Sequence, residues 1–192
     1  MSEQRQSRGE YKSPEQQIKE FVAAIYERDD CIEIRKLGRE EPGMKKPVEK
    51  EWYLASELHK EFGRLKVANT GNRKYEIHVG VNPRPDYGVS GDKNIKCFRC
   101  LFADFDFDKE TDYLKFVRDL LAQHGLPAPT VIVLSGHGVH VYWRLKEPLE
   151  LGKWREMQER LIAALGCDTA VKNPERLLRL PGYWNWKKKG GF

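Results

Sequence analysis

No stretch of this 192-residue sequence approaches the run of roughly 20 apolar residues that a membrane-crossing helix needs. The opening residues, Met1 to Lys12, are polar and contain nothing like the apolar centre of a signal region. These absences exclude a helical membrane protein and lead to the expectation of a soluble, cytoplasmic chain without a membrane partner. Cysteine is scarce: the four residues Cys31, Cys97, Cys100 and Cys167 suit a reducing compartment better than a disulfide framework. Cys97-Phe98-Arg99-Cys100 has the spacing of half a zinc knuckle, yet the second pair such a site needs is missing, and semi-buried thiols are the expectation. Internal repeats and low-complexity segments are absent too. The charge lacks a strong bias: 34 basic against 29 acidic side chains leave a net +5, which by itself does not show a polyanion partner.

What is present is a globular composition, 40% hydrophobic with 16 glycines, on a chain long enough for one substantial domain or one domain with two lobes. Residues 1–12 read as a disordered tail. Ser13-Pro14-Glu15-Gln16 has the cap, the first-turn proline and the reciprocal glutamine of a helix start, and Ile18, Phe21, Val22 and Ile25 carry helical spacing to about Glu27. Cys31 to Arg35 alternates as a strand, residues 39–47 form a charged loop, and Trp52, Leu54, Leu58 and Phe62 predict a second helix ending at Gly63. Lys74 to Val81 alternates as a strand entering Asn82-Pro83-Arg84-Pro85, followed by a loop over 86–96. Then come strand 98–106, helix 112–124, strands 130–134 and 139–145, helix 151–165 and strand 176–180. That βαββαβ order predicts an α+β protein in two lobes, an N-terminal α/β lobe (13–97) and a lobe like an RNA-recognition motif (98–192).

Polar residues cluster on or beside the strands of the second lobe. In Leu101-Phe102-Ala103-Asp104-Phe105-Asp106-Phe107-Asp108 the alternation puts Asp104 and Asp106 on one strand face. Two carboxylates side by side repel unless they bind protons or a cation, so this face is expected to hold a metal. Asp108 shares the parity but opens a loop, where a solvated turn residue is the better reading. In Ser135-Gly136-His137-Gly138-Val139-His140, the glycines let the backbone turn tightly and approach a ligand, and Ser135, Gly136 and His140 are candidate phosphate donors. His137, within the turn, fits solvent equally well. Asp168, just past a helix ending at Gly166, is either a turn cap or a third carboxylate brought to the same face. Arg176 and Arg179 offer phosphate-binding forks, with one of them expected in an ordinary ion pair. In Trp184-Asn185-Trp186-Lys187 the indoles fit either base stacking or core packing.

Taken together, Asp104-Phe105-Asp106, Ser135-Gly136-His137-Gly138-Val139-His140-Val141-Tyr142-Trp143, and Asp168 with Arg176 to Gly182 and Asn185/Lys187 resemble the archaeo-eukaryotic primase superfamily, and within it the primase-polymerase branch of plasmid, phage and defence-associated proteins. Val79-Gly80-Val81-Asn82-Pro83-Arg84 also looks like the segment before the first motif of such proteins, and the likeness covers roughly residues 75–187. The resemblance implies a DNA primase or polymerase in which Asp104, Asp106 and Asp168 hold two Mg²⁺ or Mn²⁺ ions. It further implies that Ser135, Gly136, His140, Arg176, Arg179 and Lys187 bind the incoming NTP or dNTP, and that Asn82, Arg84 and Asn185 touch nucleotide or template. Its partners would be single-stranded DNA template and primer. Tyr183 departs from the branch, where a small hydroxyl residue is common. The ending Lys187-Lys188-Lys189-Gly190-Gly191-Phe192 gives the look of a chain cut from a longer protein with a C-terminal helicase or other domain. Two rivals share the βαββαβ order. A rolling-circle or relaxase endonuclease needs paired histidines on one face and a tyrosine nucleophile, whereas His137 and His140 are three apart and helix 151–165 holds no tyrosine. A non-catalytic RNA-binding module would put aromatics where Asp104 and Asp106 stand.

Overall fold

Ser13 caps the first helix as its sequence requires: its hydroxyl accepts from the Gln16 amide while the Gln16 side chain accepts from the Ser13 amide. From that cap α1 (Pro14–Ile25) presents Ile18, Phe21, Val22 and Ile25 to the interior. The computed structural model describes residues 12–39, 43, 45–72, 74–107 and 111–186; all of the expected tail over 1–12 but Lys12, together with Asp108 and the Lys187 to Lys189 run, lies outside them.

After α1 come β1 (Cys31–Leu37) and β2 (Val48–Leu54), which pair antiparallel with Glu33 opposite Trp52. The second helix expected around Trp52 and Leu54 is therefore a strand at that point. The helical part begins later, as a 3₁₀ turn (Leu58–Glu61) leading into α2 (Phe62–Thr70), which runs through Gly63 instead of stopping there. The reason lies in the alternate residues Glu49 and Glu51. On one face of a strand they both reach the Lys36 ammonium of β1, each at 2.6 Å.

β3 (Glu76–Gly80) lies on the other side of β1. Across the loop follow β4 (Phe98–Asp106), α3 (Tyr113–His124), β5 (Val131–Leu134), β6 (Gly138–Leu149), α4 (Leu151–Leu165), a 3₁₀ turn (Thr169–Lys172) and β7 (Leu177–Arg179). The α+β class and the βαββαβ order along the chain are both present. The last strand, however, does not close the second sheet. β7 pairs with β3, giving one antiparallel sheet in the order β2-β1-β3-β7 and a second in the order β4-β6-β5.

Side chains cover the edge of β4 that β7 leaves open. The Gln158 amide of α4 accepts from the Phe102 N–H and donates to the Phe102 carbonyl, at 3.2 and 2.6 Å, and the Trp154 indole donates to the Cys100 carbonyl at 2.8 Å. The Asp168 amide then donates to the Asp104 carbonyl at 3.0 Å. Buried backbone groups need partners and open edges invite foreign strands, so these contacts both satisfy and close the edge. A single buried apolar cluster runs from Ile18 through Ile34, Ile77, Phe102 and Tyr142 to Trp154 and Leu180, with residues from both sheets. Among the described residues no helix is long and apolar enough to cross a membrane.

Candidate active site

The two sheets meet around one polar cavity of about 230 Å³. One sheet contributes His78 of β3 and Arg179 of β7; the other contributes Asp104 and Asp106 of β4 and His140 of β6, with Ser135 and His137 from the turn before β6. Arg176 and Asn185 complete the polar wall.

Strand register sets the centre. Asp104 stands directly opposite His140, and Asp106 opposite Gly138. His140 Nε2 lies 3.4 Å from Asp104 Oδ1, and both side chains are buried. Asp106, at the strand end, is exposed. The alternation that places Asp104 and Asp106 together therefore holds, and both line the cavity.

The β5–β6 turn is fixed by its backbone. Gly136 has φ +96°, a left-handed conformation, and a Cβ there would sit 3.1 Å from the Asn185 side chain. A Cβ on Gly138 would lie 2.0 Å from the Phe105 carbonyl oxygen, so only glycine lets β6 start so close to β4. The Asn185 amide donates to the Ser135 carbonyl at 2.7 Å and clasps the turn from the C-terminal segment.

Arg176 faces two carboxylates at once, Asp104 Oδ2 at 3.2 Å and Asp168 Oδ2 at 2.8 Å. Asp168 is also the cap of the 3₁₀ turn, accepting from the Ala170 amide at 2.9 Å. It is brought beside Asp104 but is not part of the cavity wall. Arg179 is buried and lies 3.5 Å from Glu76 Oε2; burial shifts its guanidinium downward from the usual arginine value, against the pull of Glu76.

Not every expected residue comes to the cavity. Asn82 and Arg84 are buried away from it. The Asn82 amide donates to the Pro174 carbonyl at 3.1 Å, and the Arg84 guanidinium, fully enclosed, lies 2.6 Å from Glu33 and 3.6 Å from Glu175. In this arrangement they brace the framework, and neither is part of the cavity lining at which nucleotide or template contact was expected. Lys187 lies outside the described residues. His78 and His137 line the cavity although sequence reading singled out neither as a site residue. His137 and His140 do not fall on opposite faces, because His137 belongs to the turn and not to the strand. For His78 the signal was the polar parity of β3, where Glu76 and His78 alternate with Ile77 and Val79, yet every residue of the strand is buried.

The cavity's oxygen donors, Asp104 and Asp106, fit a hard divalent cation, and Asp168 is near through Arg176. Among the described residues no group of three or more His, Cys, Asp or Glu side chains converges as a preformed metal site.

No family model matches the sequence, and no curated protein matches it. Solved structures do. The chain superposes on the archaeo-eukaryotic primase domain of the cyanophage S-2L primase-polymerase with TM-score 0.63 and 23% identity, over 86% of this chain and 80% of that one. It matches primase RepB′ with TM-score 0.67 and 15% identity over 91% of this chain, spanning about half, 52%, of that primase. The catalytic domain of primase RepB′ in complex with initiator DNA matches with TM-score 0.62 and 14% identity, over 92% of this chain and 80% of that one. The chain therefore has the archaeo-eukaryotic primase fold.

Proposed function

We propose that this chain is a primase-polymerase of the archaeo-eukaryotic primase superfamily, joining NTPs or dNTPs into a strand directed by a single-stranded DNA template. The observation that carries the reading is the cavity itself, where Asp104, Asp106 and His140 from one sheet meet Arg179 and His78 from the other. One RepB′ structure of the same fold holds initiator DNA, which supports DNA as the partner.

Asp104 and Asp106, joined by Asp168, would hold Mg²⁺ or Mn²⁺, which supplies activation of the 3′-hydroxyl and charge neutralisation at the leaving pyrophosphate. The protein's own groups do the rest. His140, Ser135 and Arg179 line the cavity and would contact the triphosphate oxygens, with the Gly136 backbone of the adjoining turn as a further donor. Arg176 changes partners between the carboxylates and phosphate, and Lys187 adds a further cation from the segment after Trp186.

The endonuclease rival regains something from His137 and His140 sharing the cavity. It still needs an accessible tyrosine. Tyr142 is fully buried, and burial, with Asp104 adding to it, drives its phenol well above the ordinary tyrosine value; burial likewise raises Tyr183. Neither offers a ready phenolate, and the half-exposed Tyr87 is not part of the cavity lining.

The test is incubation of the protein with labelled nucleotides, Mn²⁺ and single-stranded DNA, with and without primer. The strand lengthens only when nucleotides are present. Asp104→Asn lowers incorporation by about 100-fold or more, since a metal ligand contributes several kcal/mol to the transition state, while its melting temperature stays near that of the parent. Unchanged incorporation in that variant refutes the site. A discrete nick with label retained on the protein establishes the endonuclease instead.

A further inference from the structure

The segment that brings Asn185 to the cavity carries two indoles that are not part of its lining. Asn185 is buried and faces inward, and its neighbours Trp184 and Trp186 lie to either side with ring centroids 6.4 Å apart at 37°. Trp184 is 48% exposed, a large apolar surface left in water. It is not loose. The Trp184 amide donates to the Asn69 side-chain oxygen at 2.9 Å, the Asn69 amide donates back to the Trp184 carbonyl at 3.1 Å, and the Trp186 indole donates to the Asn69 carbonyl at 2.8 Å. Asn69 itself is 1% exposed, so α2 holds this segment through a buried clasp.

Two cations sit over the second ring of the pair, Trp186. The Lys74 ammonium lies 4.7 Å and the Arg39 guanidinium 5.6 Å from the Trp186 ring centre. Lys74 has φ +45°, the one non-glycine residue with positive φ among the described residues. A side chain of this type seldom adopts that backbone, and here its charge lies beside the Trp186 indole. A rigid exposed indole with fixed cations repels a cationic ligand and attracts a polyanion that carries flat rings.

We infer that Trp184 is a stacking platform for a base of single-stranded DNA, with Lys74 and Arg39 facing the phosphates on either side. The platform rests on the proposed nucleotidyl-transfer reading for its purpose: it holds the strand on the segment whose Asn185 lines the cavity. It reads no sequence, because every base has a face to stack.

Binding of a labelled oligonucleotide, followed by anisotropy in EDTA without nucleotides, tests this apart from catalysis. Trp184→Ala weakens binding by about 5- to 150-fold, the range that loss of one base–aromatic stack produces. Trp184→Phe retains most of the affinity. The log–log salt slope stays the same in both variants, since stacking releases no counterions, whereas loss of a phosphate contact lowers it by about 0.7. On a strand with abasic spacers the unmodified protein and Trp184→Ala bind alike. Equal affinity of Trp184→Ala and the unmodified protein for normal DNA overturns the platform. So does a weakening that persists on abasic DNA or that comes with a lowered melting temperature, which marks the indole as structural. Incorporation by the unmodified protein is measured alongside. Failure there with the Trp184 effect intact refutes the polymerase reading and leaves the platform standing.

Discussion

Arg176 shows how one side chain settles a local electrostatic conflict. Asp104 and Asp168 are held close by the Asp168-to-Asp104 backbone bond, and the guanidinium between them offsets their repulsion. It thereby occupies the ground on which the proposed reading places a divalent cation. Replacing it by a neutral group leaves two facing carboxylates and no competitor. Arg176→Gln is therefore expected to tighten Mn²⁺ binding to the nucleotide-free protein by about tenfold, given that partly exposed ion pairs are worth on the order of 1 kcal/mol. The same variant binds triphosphate more weakly. Titration calorimetry with Mn²⁺ alone, then with a non-reacting nucleotide, reads both changes. An unaltered Mn²⁺ affinity would make Arg176 a framework residue like Arg84.

Among the secondary-structure elements, Gly138 carries the tightest constraint, because its α-carbon packs where a side chain would strike the Phe105 carbonyl. Gly138→Ala must push β6 away from β4 at the very pairs that align Asp104 with His140. We expect a loss of about 1–3 kcal/mol, as overpacking usually costs, read as a lower urea midpoint, together with reduced incorporation. An unchanged midpoint would show that the strand end moves freely. This element also marks the limit of sequence reading. Period-two alternation placed Asp104 and Asp106 on one face, and capping chemistry placed α1, because both are local. Sequence periodicity alone made β2 a helix, since positions 54, 58 and 62 fit a helical repeat until strand pairing with β1 and the Lys36 contacts are counted. Membership of β7 in the first sheet depends on pairing with β3, about a hundred residues away in the chain. His78 followed from that pairing, being opposite Arg179, and could not be assigned to the site before it. Asn82 and Arg84 show the converse: polar residues near a motif can be fully buried in ion pairs and hydrogen bonds.

At the scale of the whole molecule, β7 joins what chain order alone would divide. It pairs in the first sheet, while the residue before it, Arg176, pairs with Asp104 of the second. Glu175 extends the junction. Its carboxylate pairs with Arg35 of β1, lies 3.6 Å from Arg84, and accepts from the Gly91 amide at 2.9 Å. Burial pushes this carboxyl upward, but the Gly91 hydrogen bond and the neighbouring arginines outweigh it, and its net position is below the ordinary glutamate value. A group lowered on folding contributes stability that is full above its unfolded value, about pH 4.3, and is lost as pH falls through the folded one. Urea unfolding is therefore expected to weaken from roughly pH 5 downward, and Glu175→Gln to flatten that acid limb while lowering the midpoint at neutral pH. Because one buried cluster spans both sheets, tryptophan fluorescence and far-ultraviolet circular dichroism should report the same midpoint at every pH. Two separated transitions would mean that the sheets unfold independently and that β7 does not couple them. An acid limb as steep in Glu175→Gln as in the parent would place the linkage on another carboxylate, with Glu51, lowered by Lys36 and Arg64 against its burial, the next to replace.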